Sequence, residues 1–147
     1  MQAKIAFNPF ILFFSVFLLA GSLRAQDVPG SKDPDGINRM SGFKIEQYEV
    51  TEKGVYLMDI SPTESQNMEG LKTYIEYRLK KGATRPNKTD IFKWYFKQAE
   101  SIGGTVPFED LNDNMATLAY TRDGKVVFCA VNIWDDGAVI ALTVMEP

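Results

Sequence analysis

Glu46, Glu49, Glu52 and Asp59 lie close together in the first half of the chain. Paired carboxyls at a defined separation across a cleft are the chemistry of glycoside hydrolysis. Spread along alternating strands, the same acids describe a solvated face, and that is the expectation here. Asp110, Asn112 and Asn114 match the first three ligand positions of an EF-hand loop. The pattern then breaks, with Met115 where glycine is needed and Thr121 where the bidentate glutamate belongs. An Asx-rich turn is expected, with calcium as the weak alternative. The one cysteine, Cys129, has no histidine to activate it, because the chain contains none. That absence also removes the commonest general base and most zinc sites. Neither a catalytic residue nor a cofactor is expected. Trp94, Phe128 and Trp134 are the residues expected to anchor a partner, since aromatic side chains dominate interface energetics. Tyr95 is assigned to the core.

Two further groups have ordinary explanations. Asn87-Lys88-Thr89 fits the N-glycosylation pattern, and Thr89 is also a suitable helix cap. Lys80, Lys81, Arg85 and Lys88 make a small basic patch that reads as a solvated loop.

The first 25 residues bear on location. Lys4 is followed by the apolar run Phe10 to Ala20, then Gly21-Ser22-Leu23-Arg24-Ala25. A basic start, a short apolar stretch and a small-residue exit describe a secretory signal peptide cleaved before Gln26. The run is short for a membrane span, which needs about 20 apolar residues. Position 26 is not the cysteine a lipoprotein requires, so no stable membrane anchor is expected after cleavage. The expected location is outside the cytoplasm. The chain has 16 basic and 19 acidic residues, and losing Lys4 and Arg24 takes its net charge from −3 to about −5. That balance argues against nucleic acid as a partner and against anionic lipid.

A polar lead-in, residues 26 to 42, precedes a single domain over 43 to 147. Phe43 to Val50 and Val55 to Ile60 read as a hairpin turning at Glu52-Lys53-Gly54, and Ser61 to Gly70 as a loop. Leu71 to Lys80 alternates with period two and reads as a third strand. Thr89 caps a helix with Phe92, Tyr95, Phe96 and Ala99 on one face, stopped by Gly103-Gly104. Four strands follow: Thr105 to Phe108, Met115 to Arg122, Lys125 to Trp134 and Ala138 to Met145. Asp123-Gly124 and Asp136-Gly137 are the preferred pairs for tight type I′ turns. Tight turns set Tyr120 opposite Val127, Leu118 opposite Cys129 and Ala116 opposite Val131. They also set Ile133 opposite Ile140, Val131 opposite Leu142 and Cys129 opposite Val144. These ten residues share one apolar face for the helix to cover. The opposite face is too apolar for plain exposure, so the lead-in, the first hairpin or another subunit should cover part of it. The expected fold is α+β: a three-strand antiparallel meander, one amphipathic helix, then a four-strand antiparallel meander.

The order of pieces resembles the uncharacterised N-terminal domain of some bacterial OmpA-family envelope proteins. The matching stretches are Gly30-Ser31-Lys32-Asp33, the segments around Tyr48 and Tyr56, Lys72 to Tyr77, Gly82-Ala83, the aromatic helix into Gly103-Gly104-Thr105-Val106, Ala116-Thr117-Leu118 and Leu142-Thr143-Val144. In that family an OmpA-like module that grips peptidoglycan often follows, and this chain carries none, so peptidoglycan binding does not carry over. The resemblance implies a non-enzymatic role in the envelope of a Gram-negative cell. The expected function is therefore a periplasmic domain that binds another envelope component or itself. The alternatives are a small secreted carboxylate-dependent hydrolase and a small-ligand carrier.

Overall fold

The computed structural model describes residues 26–147, so the segment read as a signal peptide lies outside the described residues. Six strands and one helix follow the lead-in: β1 (Phe43–Ser61), β2 (Glu64–Leu79), α1 (Lys88–Ser101), β3 (Thr105–Asp110), β4 (Met115–Arg122), β5 (Lys125–Trp134) and β6 (Val139–Glu146). All six form one antiparallel sheet in the order β1-β2-β6-β5-β4-β3.

The α+β class holds, but the expected three-strand and four-strand meanders do not. Two long strands precede the helix instead of three short ones. Because β2 pairs with β6, the halves before and after the helix are knit into a single sheet. The difference from expectation begins at Glu52-Lys53-Gly54. This is not a turn but a bulge inside β1, where Thr51 pairs with Lys72 and Gly54 with Gly70, one extra residue on the β1 side. Glycine in a strand often marks a bulge or a close backbone approach. Here a Cβ on Gly54 would lie 2.4 Å from Cβ of Lys72. The chain reverses later, at Pro62-Thr63, so most of the expected loop Ser61 to Gly70 is strand.

The far half of this hairpin, residues 54 to 70, runs past the end of β6 and folds back as an arm. Its Met58 and Met68 pack with Ala130 and Met145 on the second face of the sheet, flanked by Tyr56, Ile60 and Phe128. Thr117 Oγ1 on β4 donates to Met58 Sδ at 3.7 Å. The first hairpin thus covers part of the mixed second face.

The C-terminal half follows the expected register. All six pairs derived from the two turns are present. Their ten residues are buried in the main core with Ile91, Phe92, Tyr95 and Ala99 of α1. Asp123 and Gly124 adopt the positive φ of a type I′ turn, 51° and 76°. The second turn is wider than expected. A short 3-10 turn spans Asp135–Gly137, with Asp135 and Asp136 at φ 47° and 50°. Trp134 still pairs with Val139, so the register survives.

The helix is capped two residues earlier than expected. Asn87, not Thr89, is the N-cap. Its Oδ1 accepts the Asp90 N–H at 2.8 Å, and its Nδ2 donates to the Asp90 carboxylate at 2.8 Å. Both termini of α1 are therefore specified locally. At the other end Gly104 N–H donates to Ala99 O and Gly103 N–H to Glu100 O, the Schellman pattern.

Cys129 is buried beneath this helix, and burial pushes its thiol up to about 12. It serves as a small core hydrophobe.

The lead-in is strapped to the first face. Ile37 is buried in the main core. Val28 N–H donates to Ile45 O, and Ile45 N–H donates to Asp27 Oδ1 at 2.8 Å. Arg39 donates to Asp27 at 2.6 Å and to Asp33 at 3.0 Å, and Tyr77 OH donates to Asp33 at 2.8 Å. The Arg39 hydrogen bond is the main reason the Asp27 carboxyl is held below its ordinary value of 3.8. A carboxyl depressed in the folded state adds stability above its unfolded value and loses it as pH falls through the folded value. Thermal stability should therefore hold from pH 7 to about pH 4 and decline below it. Asp27→Asn should be less stable at neutral pH and show a shallower acid decline. Melting curves across this range check both; an unchanged acid limb in the variant refutes the assignment.

Candidate functional site

Among the described residues, two of the open clefts are large enough to hold a small ligand. The larger, about 300 Å³, lies on the first face between lead-in and strands. Its floor includes Tyr48, Val50, Leu71 and Ile75, and its rim carries charges. Most of those charges hold the strap in place. Arg122 pairs with Asp35 at 3.2 Å and with Glu146, and Asp33 is bound by Arg39 and Tyr77. That cleft is primarily the seam of the lead-in.

The second cleft, about 250 Å³, opens on the other face beside the arm. Tyr56 reaches it from the arm, Tyr74 and Lys72 from β2, Glu49 from β1, Asn132 and Trp134 from β5, and Ala141 and Thr143 from β6. Strand register explains the grouping. Glu49 lies opposite Tyr74, Tyr74 opposite Thr143, and Ala141 opposite Asn132. Side chains at pairing positions share a face.

Trp134 stands at the end of β5 and is 48 % exposed, unusual for so large an apolar side chain. Asp135 and Asp136 follow it with positive φ, a conformation that costs free energy in any residue with a Cβ. These turns fix where β5 ends and hence where the indole projects.

A line of polar groups continues from the cleft along the second face. Tyr74 OH donates to Glu76 Oε2 at 3.2 Å, and Arg78 Nη2 donates to Glu76 Oε1 at 3.4 Å. Arg78 Nε also donates to Glu46, which Lys44 approaches at 3.5 Å. Glu76 is only 7 % exposed, and both of its oxygens are engaged. Burial, reinforced by the Glu76 carboxylate, pushes the Tyr74 phenol up to about 12. It stays protonated at neutral pH and acts as a donor. Burial alone would raise the Glu46 carboxyl, but Arg78 and Lys44 outweigh it and the net shift is downward.

The residues singled out from the sequence fall in different places. Trp134 lines the cleft. Phe128 lies deeper on the same face, packed against the methionine cluster. Trp94 lies on α1, where it packs on the main core and its Nε1–H donates to Asn38 O at 3.0 Å, pinning the lead-in. Tyr56 and Tyr74 were not anticipated as site residues. Period two placed Tyr74 on the correct face, but nothing local brings Tyr56 to it.

Among the candidate acids, Glu46 is ion-paired, Glu49 accepts from Thr51 at 3.2 Å, and Asp59 accepts from Ser65 at 2.5 Å. Asp110 Oδ1 accepts the backbone N–H groups of Asn112 and Asp113 at 3.0 and 3.1 Å, an Asx turn, and Asn114 takes φ 60°. Among the described residues no cluster of three or more histidines, cysteines or acids could hold a metal ion. Nor is any helix among them long and apolar enough to cross a membrane.

Compared with known proteins, the chain matches no family model and no curated protein.

Proposed function

We propose that this chain is a non-enzymatic binding domain of the cell envelope. Its first 25 residues direct export to the periplasm, and the cleft beside the arm contacts another envelope component or a second copy. The observation that carries this reading is Trp134, a half-exposed indole at the edge of an aromatic cleft. A protein seldom leaves so large an apolar ring in water beside two tyrosines unless something covers it. The likeness to OmpA-family N-terminal domains supports the envelope setting. The engagement of Glu46, Glu49 and Asp59 by neighbouring side chains favours binding over carboxylate catalysis.

Crosslinking of the tagged protein in intact cells tests the reading. Wild type should give a discrete adduct in the envelope fraction, and Trp134→Ala should lose most of it with an unchanged melting temperature. An adduct of twice the protein's own mass identifies a second copy; any other mass identifies a different component. No adduct, or one indifferent to Trp134→Ala, overturns the proposal.

A further inference from the structure

From the cleft lining we infer that its ligand is a neutral sugar chain, an inference that rests on the cleft being the contact surface. A hexopyranose ring has two kinds of surface. Its faces are C–H and apolar, and its edge is a belt of hydroxyls that both donate and accept. The cleft offers both complements. The rings of Tyr56, Tyr74 and Trp134 supply flat apolar walls. Asn132 supplies an amide that donates and accepts from adjacent atoms, the match for neighbouring hydroxyls, and Thr143 adds a hydroxyl. Glu49 binds Thr51 through Oε1, which leaves Oε2 to accept a sugar hydroxyl.

The same lining argues against other ligand classes. Lys72 is the cleft's single cation and Glu49 its single acid, so a phosphate or sulfate would meet no net positive charge. The acidic chain as a whole also repels nucleic acid, although bases would stack on these rings. An aliphatic ligand would leave Asn132 and Thr143 without partners. The cleft opens to solvent on one side, which suits a ligand whose outer hydroxyls stay wet.

The test is a titration with cellohexaose, maltohexaose and chitohexaose, followed through tryptophan emission. The chain has two tryptophans, so Trp94→Phe makes Trp134 the only reporter. If that variant folds poorly, calorimetry on the wild-type protein with the same sugars replaces it. The expected result is a saturable shift in emission with at least one sugar. Asn132→Ala should weaken that binding about tenfold, the usual scale for one lost hydrogen bond, without changing the melting temperature. The inference is overturned if no sugar binds at millimolar concentration, or if a hexathymidylate binds more tightly than every sugar. Should sugars fail while the Trp134-dependent envelope adduct persists, the cleft is a contact surface for something else. If both fail, the binding reading falls with the inference.

Discussion

Phe92→Ala is expected to cost about 3–5 kcal/mol of unfolding free energy, the range for truncating a buried aromatic. Phe92 is 1 % exposed and lies on the face of α1 that covers the sheet. Its ring meets that of Phe96 in a tilted arrangement, with centroids 5.9 Å apart. The backbone around it is fixed at both ends, by the Asn87 cap and by the glycines after Ile102, so the helix cannot slide to fill the gap. Domains of this size are stable by about 5–15 kcal/mol, so the loss should remove a large share of that margin. Urea denaturation measures the loss. Tyr95→Phe is the contrasting control. Tyr95 is equally buried, but its hydroxyl has no hydrogen-bond partner among the described groups. Removing that hydroxyl should be neutral or stabilising by about 1 kcal/mol. A loss below 1 kcal/mol for Phe92→Ala would show that the helix is not the main cover of the first face.

Gly70→Ala should cost at least 2 kcal/mol, roughly, within the upper part of the range for single substitutions. Gly70 is where β2 leaves β6 and the arm begins. A Cβ there would lie 2.2 Å from the Glu146 carbonyl oxygen and 2.9 Å from its carbon. Both are backbone atoms and cannot rotate away. The backbone also sits at φ 156°, outside the region that L residues favour. Relief requires β6 to end early or the arm to swing out, and either separates Met58 and Met68 from Ala130 and Met145. Tyr56 travels with the arm, so the aromatic cleft should open as well. Denaturation and near-ultraviolet dichroism report the two effects. A variant with wild-type stability and spectrum would show that the arm is not anchored at this point.

The two halves of the chain differed in how readily they could be read. From Met115 to Glu146 the strands are strongly apolar and each turn carries an Asp-Gly pair, so facing and register follow from the turns even though β6 is buried on both faces and does not alternate. The helix was equally legible from the spacing of Phe92, Tyr95 and Ala99. The first half obscured its own pattern. Between Ser61 and Gly70 only Met68 is buried, so the arm lacks the alternation that marks a half-buried strand. Gly54 resembles a turn residue, yet its role is close approach to Lys72. Pro62-Thr63, the true reversal, carries no glycine to announce it. Trp134 could be singled out as an exposed anchor on composition and register. The pairing of β2 with β6 and the folding back of the arm are long-range events, and they alone bring Tyr56 and Tyr74 beside it.

The hairpin arm has an energetic consequence. β1 and β2 each belong to two apolar clusters, a large one beneath the helix and a small one built on three methionines and Ala130. Unfolding the arm exposes only the small cluster, whereas unfolding the domain exposes both. The arm can therefore open as a separate unit at a free energy well below that of global unfolding. Any ligand that bridges Tyr56 and Trp134 binds only the closed form, so part of its binding energy is used to hold the arm shut. Affinity at the cleft is thereby coupled to methionine packing that the ligand never touches.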